Sequence, residues 1–173
     1  MKFLYTMLAF LMLTFGVSAA EFAVVDYQAV IQKSKAFASF QSQAEANKKA
    51  LETQFQKESE SLKKAEQDLI NKRPEYSEAE FNKKRAEFET KVEAFRTKFQ
   101  AKQAEFEKNN AEALKTIEDQ SKKTIGEVSK AKKHEIVYQA AALAYFDKSK
   151  DISEEVLKKL DTALPKVSLK KVS

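Results

Sequence analysis

Apolar residues are thinly spread through most of this chain, and their spacing is helical. Before Pro74 the markers are Phe37, Phe40, Ala44, Leu51, Phe55, Leu62 and Leu69. Phe55, Leu62 and Leu69 repeat every seven residues, and Leu51 lies four before Phe55. That is coiled-coil-like spacing. After Pro74 the markers run from Phe81 through Phe88, Val92, Phe95, Phe99 and Phe106 to Ile117 and Val128. Phe95, Phe106, Ile117 and Val128 recur every eleven residues, which predicts a nearly straight or slightly right-handed helix.

The break between the two helices carries several independent signals. Pro74 cannot sit inside a helix and pushes Arg73 out of helical conformation. Ser77 and Glu80 have capping-box spacing, with Tyr76 and Phe81 at the staple positions. The turn therefore falls near residues 74–77. The pairs Leu69/Phe81, Leu62/Phe88, Phe55/Phe95, Leu51/Phe99 and Ala44/Phe106 are each symmetric about residue 75. An apolar stripe that mirrors itself about its turn predicts two antiparallel helices packed on each other. At 1.5 Å per residue the first helix would make an arm of roughly 57 Å, so it should project and be stable mainly near its root.

Patterning changes at both ends. Glu21–Tyr27 alternates like a strand, with Phe22 and Val24 on one face and Ala23 and Val25 on the other. Asp26 is placed to cap a short helix bearing Val30 and Ile31. His134–Phe146 reads as one or two strands, Ile136–Tyr138 and Leu143–Phe146, with a helix as competitor because the segment is Ala-rich. Ser153 is expected to cap a last helix whose apolar face is Val156, Leu157, Leu160 and Leu164, and Pro165 ends it. The reading is α+β and mostly α. A hairpin arm, 35–133, is inserted in a small discontinuous body, 20–34 and 134–173. That body is small for a self-sufficient core, so oligomerisation through open strand edges is the expected remedy.

The first residues read as an export signal covering 1–19. Lys2 precedes a 14-residue apolar run, Phe3–Gly16, too short to span a bilayer comfortably. Cleavage is expected after Ala19, with Ala20 as the alternative. Removing Lys2 leaves 30 basic and 26 acidic residues of the 31 and 26 in the whole chain. Residues 35–133 hold 22 basic and 18 acidic residues, so the whole excess lies on the arm.

Composition narrows the chemistry. The chain has no Cys, one His and two Gly, which excludes disulfides, thiolate metal sites and glycine-rich phosphate loops. His134 and Glu135 would point to opposite faces of a strand, and the many carboxylates sit on exposed helices. No catalytic, cofactor-binding or metal-binding residue is assigned, and no enzyme is expected. The pI of about 9.1 raises nucleic-acid binding, but lysines and glutamates are interspersed with no basic face, and an export signal argues against it.

AVVDYQAVIQKS, the charged hairpin and EIVYQAAALAYFDKSKDISEEVLKKL together resemble the Skp/OmpH family of periplasmic chaperones. The last segment carries most of the resemblance. The likeness implies a homotrimer whose bodies share a β-barrel and whose arms surround a cavity. It implies ATP-independent holding of unfolded outer-membrane proteins in the periplasm, and association of basic arm residues with lipopolysaccharide or other anionic lipid. On this reading the candidate client contacts are Phe37, Phe40, Phe81, Phe88, Phe99 and Phe106, although a Phe-rich hairpin seam is the simpler account of them. The candidate electrostatic patches are Lys72, Arg73, Lys83, Lys84 and Arg85, with further lysines at Lys122, Lys123, Lys130, Lys132 and Lys133. Phe22, Val24, Val25, Ile136, Tyr138, Leu143 and Tyr145 are the oligomerisation candidates. The alternative function is an exported coiled-coil spacer or adhesin stalk, which would continue its repeat without a central Pro and capping box.

Overall fold

The computed structural model describes residues 21–172. The export signal and its cleavage site lie outside the described residues. Strand β1 (Phe22–Val25) leads into helix α1 (Tyr27–Lys33), and α2 (Lys35–Asn71) follows after Ser34 alone. Helix α3 (Glu78–Ala131) returns, β2 (Ile136–Gln139) pairs with β1, and α4 (Ser153–Ala163) closes the body. At 1.5 Å per residue α2 is about 55 Å long and α3 about 81 Å.

The arm is the antiparallel pair that the mirrored stripe predicts. The rings of Phe55 and Phe95 meet edge-on at 5.8 Å, and Phe55 also meets Phe99 at 4.9 Å. Pro74 sits in a short 3-10 turn, Arg73–Glu75, where its missing N–H costs nothing. Beyond it the capping box is complete: Ser77 Oγ accepts from the Glu80 amide at 3.3 Å, and Glu80 accepts from the Ser77 amide at 3.0 Å.

The body is built on β1. Its alternation places Ala23 and Val25 in a core with Val30, Val128, Ile152, Val156 and Leu160. Strand β2 runs parallel to β1, with Phe22 opposite Ile136 and Val24 opposite Tyr138. On the other side Ile152 donates to the Val24 carbonyl at 2.9 Å. A second core joins Ile31 and Ala36 to Ala113, Ile117 and Val167, so the two arm helices enter the body at their root. Buried small residues on α3 allow this approach. Ser121, Thr124 and Ser129 each return their hydroxyl to a carbonyl four residues back, at 2.7 to 2.8 Å.

Three expectations are corrected. Leu143–Phe146 is not a strand: after β2 the chain makes a 3-10 turn, Ala140–Ala142, and continues extended but unpaired within the single chain. Ser153 is not the cap of α4. The N-cap position is Ile152, and the Ser153 hydroxyl instead accepts from the Asp26 amide at 2.8 Å. That N–H ends β1 without a ladder partner, and the long-range bond satisfies it. The last residues do not stay with α4 and the strands; 165–172 run out along the arm root.

Candidate functional site

The arm divides by burial into a firm root and a soft distal part. Along α2 the last buried side chain is Phe55, 7% exposed, and on α3 nothing before Asn109 is buried. Distal of that level Leu62, Leu69, Phe81, Phe88, Val92 and Phe95 are only half-buried. A two-helix seam has one contact face per helix, so its side chains keep a solvent flank.

The six candidate phenylalanines therefore fall in different settings. Phe37 and Phe40 stack on each other at 5.8 Å and pack against the Ile31–Ile117 core. Phe106 packs on Leu51, Phe55 and Val172. Phe99 is 43% exposed and lines an apolar hollow of about 190 Å³ with Leu51, Phe55 and Phe106. Phe88 lines a more polar groove near the tip with Leu69 and Tyr76. Phe81 lies under the Arg73 guanidinium, 4.4 Å from the ring centre. Phe99 and Phe88 offer open ring surface, whereas Phe37, Phe40 and Phe106 support the root.

The basic tip is partly engaged. Arg73 covers Phe81 and also donates to the Tyr76 carbonyl at 3.4 Å, while Lys84 lies 5.0 Å from the Tyr76 ring. Arg85 pairs with Glu89 at 2.8 Å. Lys72 lines the tip groove, and Lys72 and Lys83 make no ion pair among the described residues. At the root Lys132 bonds Glu155 of α4 at 2.6 Å, so it joins arm to body. The Lys98–Glu58 bridge ties α2 to α3 midway, and with the Gln54 amide it holds the Glu58 carboxyl below its usual range.

The body presents a separate apolar face. Phe22 (37% exposed), Ile136 (44%) and Tyr138 (43%) lie together on β1 and β2, with the Phe22 and Tyr138 rings 5.9 Å apart. Tyr145 is 86% exposed on the unpaired segment, whereas Val24 and Val25 are fully enclosed and Leu143 is half-buried. Strand β2 has β1 on one side only. Of the seven oligomerisation candidates, Phe22, Ile136, Tyr138 and Tyr145 are exposed, Leu143 is half-buried, and Val24 and Val25 are core.

His134 stands at the arm–body junction, 3.8 Å from the Glu21 carboxylate, and no cluster of metal-ligating side chains occurs among the described residues. Among those residues no helix is long and apolar enough to cross a membrane. The reading from sequence missed the C-terminal tail, whose only signal was Val167, Leu169 and Val172 recurring after Pro165.

Comparison with solved structures finds a candidate OmpH-like outer membrane chaperone from Caulobacter crescentus CB15. The two share 17% identity and superpose with a TM-score of 0.81 over 90% of this chain and 92% of the other. Comparison with curated proteins gives no match. The family model for OmpH-like outer membrane proteins matches residues 21–160, from the first strand to the last helix. The chain thus belongs to the OmpH-like outer membrane protein family.

Proposed function

We propose that this protein is an exported, ATP-independent holdase that binds unfolded outer-membrane proteins in the periplasm and prevents their aggregation. The observation that carries this reading is the distal arm, about 24 Å of helix pair beyond Phe55 whose phenylalanines are half-covered and whose flanks are charged. Such a surface makes many weak apolar contacts and no tight site. That suits clients that expose apolar strands and differ in sequence.

In this reading the arms work in threes. The Phe22–Ile136–Tyr138 face and the open β2 edge support assembly into a homotrimer, with the segment around Tyr145 pairing across subunits. Three arms around one cavity raise the effective concentration of weak contacts. Lys72 and Lys83 at the tip attract acidic client segments and anionic lipid head groups, including lipopolysaccharide, within about 8 Å at physiological salt.

The test is light scattering from an unfolded outer-membrane β-barrel diluted out of denaturant, without ATP. The mature chain is expected to suppress the aggregation at about three chains per client. Scattering that rises as fast with the chain as without it would remove the holdase reading and leave a structural coiled coil.

A further inference from the structure

After Pro165 the chain leaves the body and lies along the root groove between α2 and α3. Its reach fits an extended strand. Val167 lies by Gln43, and Val172 packs on Leu51 and Phe55. Five extended residues span about 16 Å, and the helix from Gln43 to Leu51 or Phe55 rises about 12–18 Å.

The groove holds this segment through its backbone. The Gln43 side chain donates to the Val167 carbonyl at 2.7 Å and accepts from the Leu169 amide at 3.1 Å. Asn47 donates to the Lys170 carbonyl at 3.2 Å. Gln43, Asn47, Leu51 and Phe55 stand four residues apart on α2, forming one continuous polar-then-apolar track. Val167 and Val172 are 6% and 5% exposed, and Lys170 approaches Glu112 at 3.9 Å. Asn109 is 7% exposed, its amide nitrogen has no partner, and it lines a small hollow against Val167 and Lys170. It is a buried donor beside the tail that the tail leaves unused.

Backbone bonds carry no sequence preference, and the apolar anchors Val167, Leu169 and Val172 are aliphatic side chains spaced two and then three residues apart. Outer-membrane strands offer apolar side chains at every second position, so such a segment can seat the Val167 and Leu169 positions while its backbone takes the Gln43 and Asn47 bonds. We propose that the α2/α3 root groove is a binding site for extended client segments, and that residues 165–172 are its resident occupant. The tail lies beyond residue 160, where the family match ends. Tethering gives it a local concentration on the order of millimolar. Only a client offering many such segments, as an unfolded barrel does, displaces it. The proposal rests on the holdase reading and adds a gate to it.

The test uses the unaltered mature chain. Exchange of the Leu169 amide is followed with and without a saturating unfolded outer-membrane barrel. Displacement predicts at least tenfold faster exchange when client is held. Client held with Leu169 protection unchanged or increased overturns the gate and leaves the holdase reading standing. If no client is held, the groove is judged by a synthetic peptide of residues 165–172. The full chain carrying Val167→Asp and Val172→Asp should bind that peptide at least tenfold more tightly than the unaltered chain. Equal affinities, or no binding to either, overturn the groove as a peptide site.

Discussion

At the residue scale, each polar side chain is settled by the partner it finds, near or far along the chain. Ser77 and Glu80 are three residues apart, so their capping box can be read from sequence and is formed. Ser153 looks like the same kind of cap, but its hydroxyl is taken by the Asp26 amide, 127 residues away, which no local rule reveals. The helix end at Lys133 is another case. Lys133 has φ 62°, with its amide bonded to the Lys130 carbonyl and the His134 amide to that of Ser129. This is a Schellman end, which ordinarily takes Gly. The chain instead places Gly126 inside α3, where an added Cβ would meet nothing within 4 Å. Lys133→Gly and Gly126→Ala are each expected to raise stability by about 1 kcal/mol, read as shifts in the denaturant midpoint. A lowered midpoint for Gly126→Ala would mean that another subunit packs against that turn.

The cap at the arm tip also predicts a pH response. Bonds from the Ser77 hydroxyl and amide hold the Glu80 carboxyl below its usual range. A lowered folded value means the stabilisation is complete above the ordinary glutamate range. It is lost as pH falls through the lowered one. The Ser77 and Glu80 amide resonances should therefore titrate together at acidic pH, and Glu80→Gln should abolish that transition. A transition that survives the substitution would assign it to another group.

At the scale of elements, the hairpin was readable because symmetry about one turn is a property of the sequence itself. The Phe55–Phe95 contact is the physical form of that symmetry. Strand β1 was readable from its alternation, whereas Leu143–Phe146 is unpaired within the single chain, because an extended apolar stretch becomes a strand only when a partner edge reaches it. The tail was unreadable because its contacts are backbone bonds to Gln43 and Asn47 on α2, over 120 residues earlier. Phe55 is where hairpin and tail meet. Phe55→Glu should cost about 3 kcal/mol, concentrated in the arm. Amide exchange should rise along α2 and α3 distal of the root, with β1 and α4 little changed. Unchanged arm exchange would show that the seam is held elsewhere.

At the scale of the whole molecule, the proposed function rests on shape and distribution of charge. The described residues contain one small body, one long arm and an uncovered apolar face, and the family match spans all three. On the proposed function, charge sets the reach of the arm. Raising salt from 0.05 to 0.5 M is expected to weaken client holding severalfold, because exposed lysines act over a Debye length. An affinity independent of salt would leave the phenylalanine contacts alone to hold the client.

The account stands on one joint claim, that three copies assemble through the body and together hold one unfolded client. Sedimentation velocity of the mature chain, alone and with an unfolded outer-membrane barrel, tests it directly. The predicted result is a single species of three chains that shifts to three chains plus one client. A folded monomer that leaves the client to aggregate would contradict it.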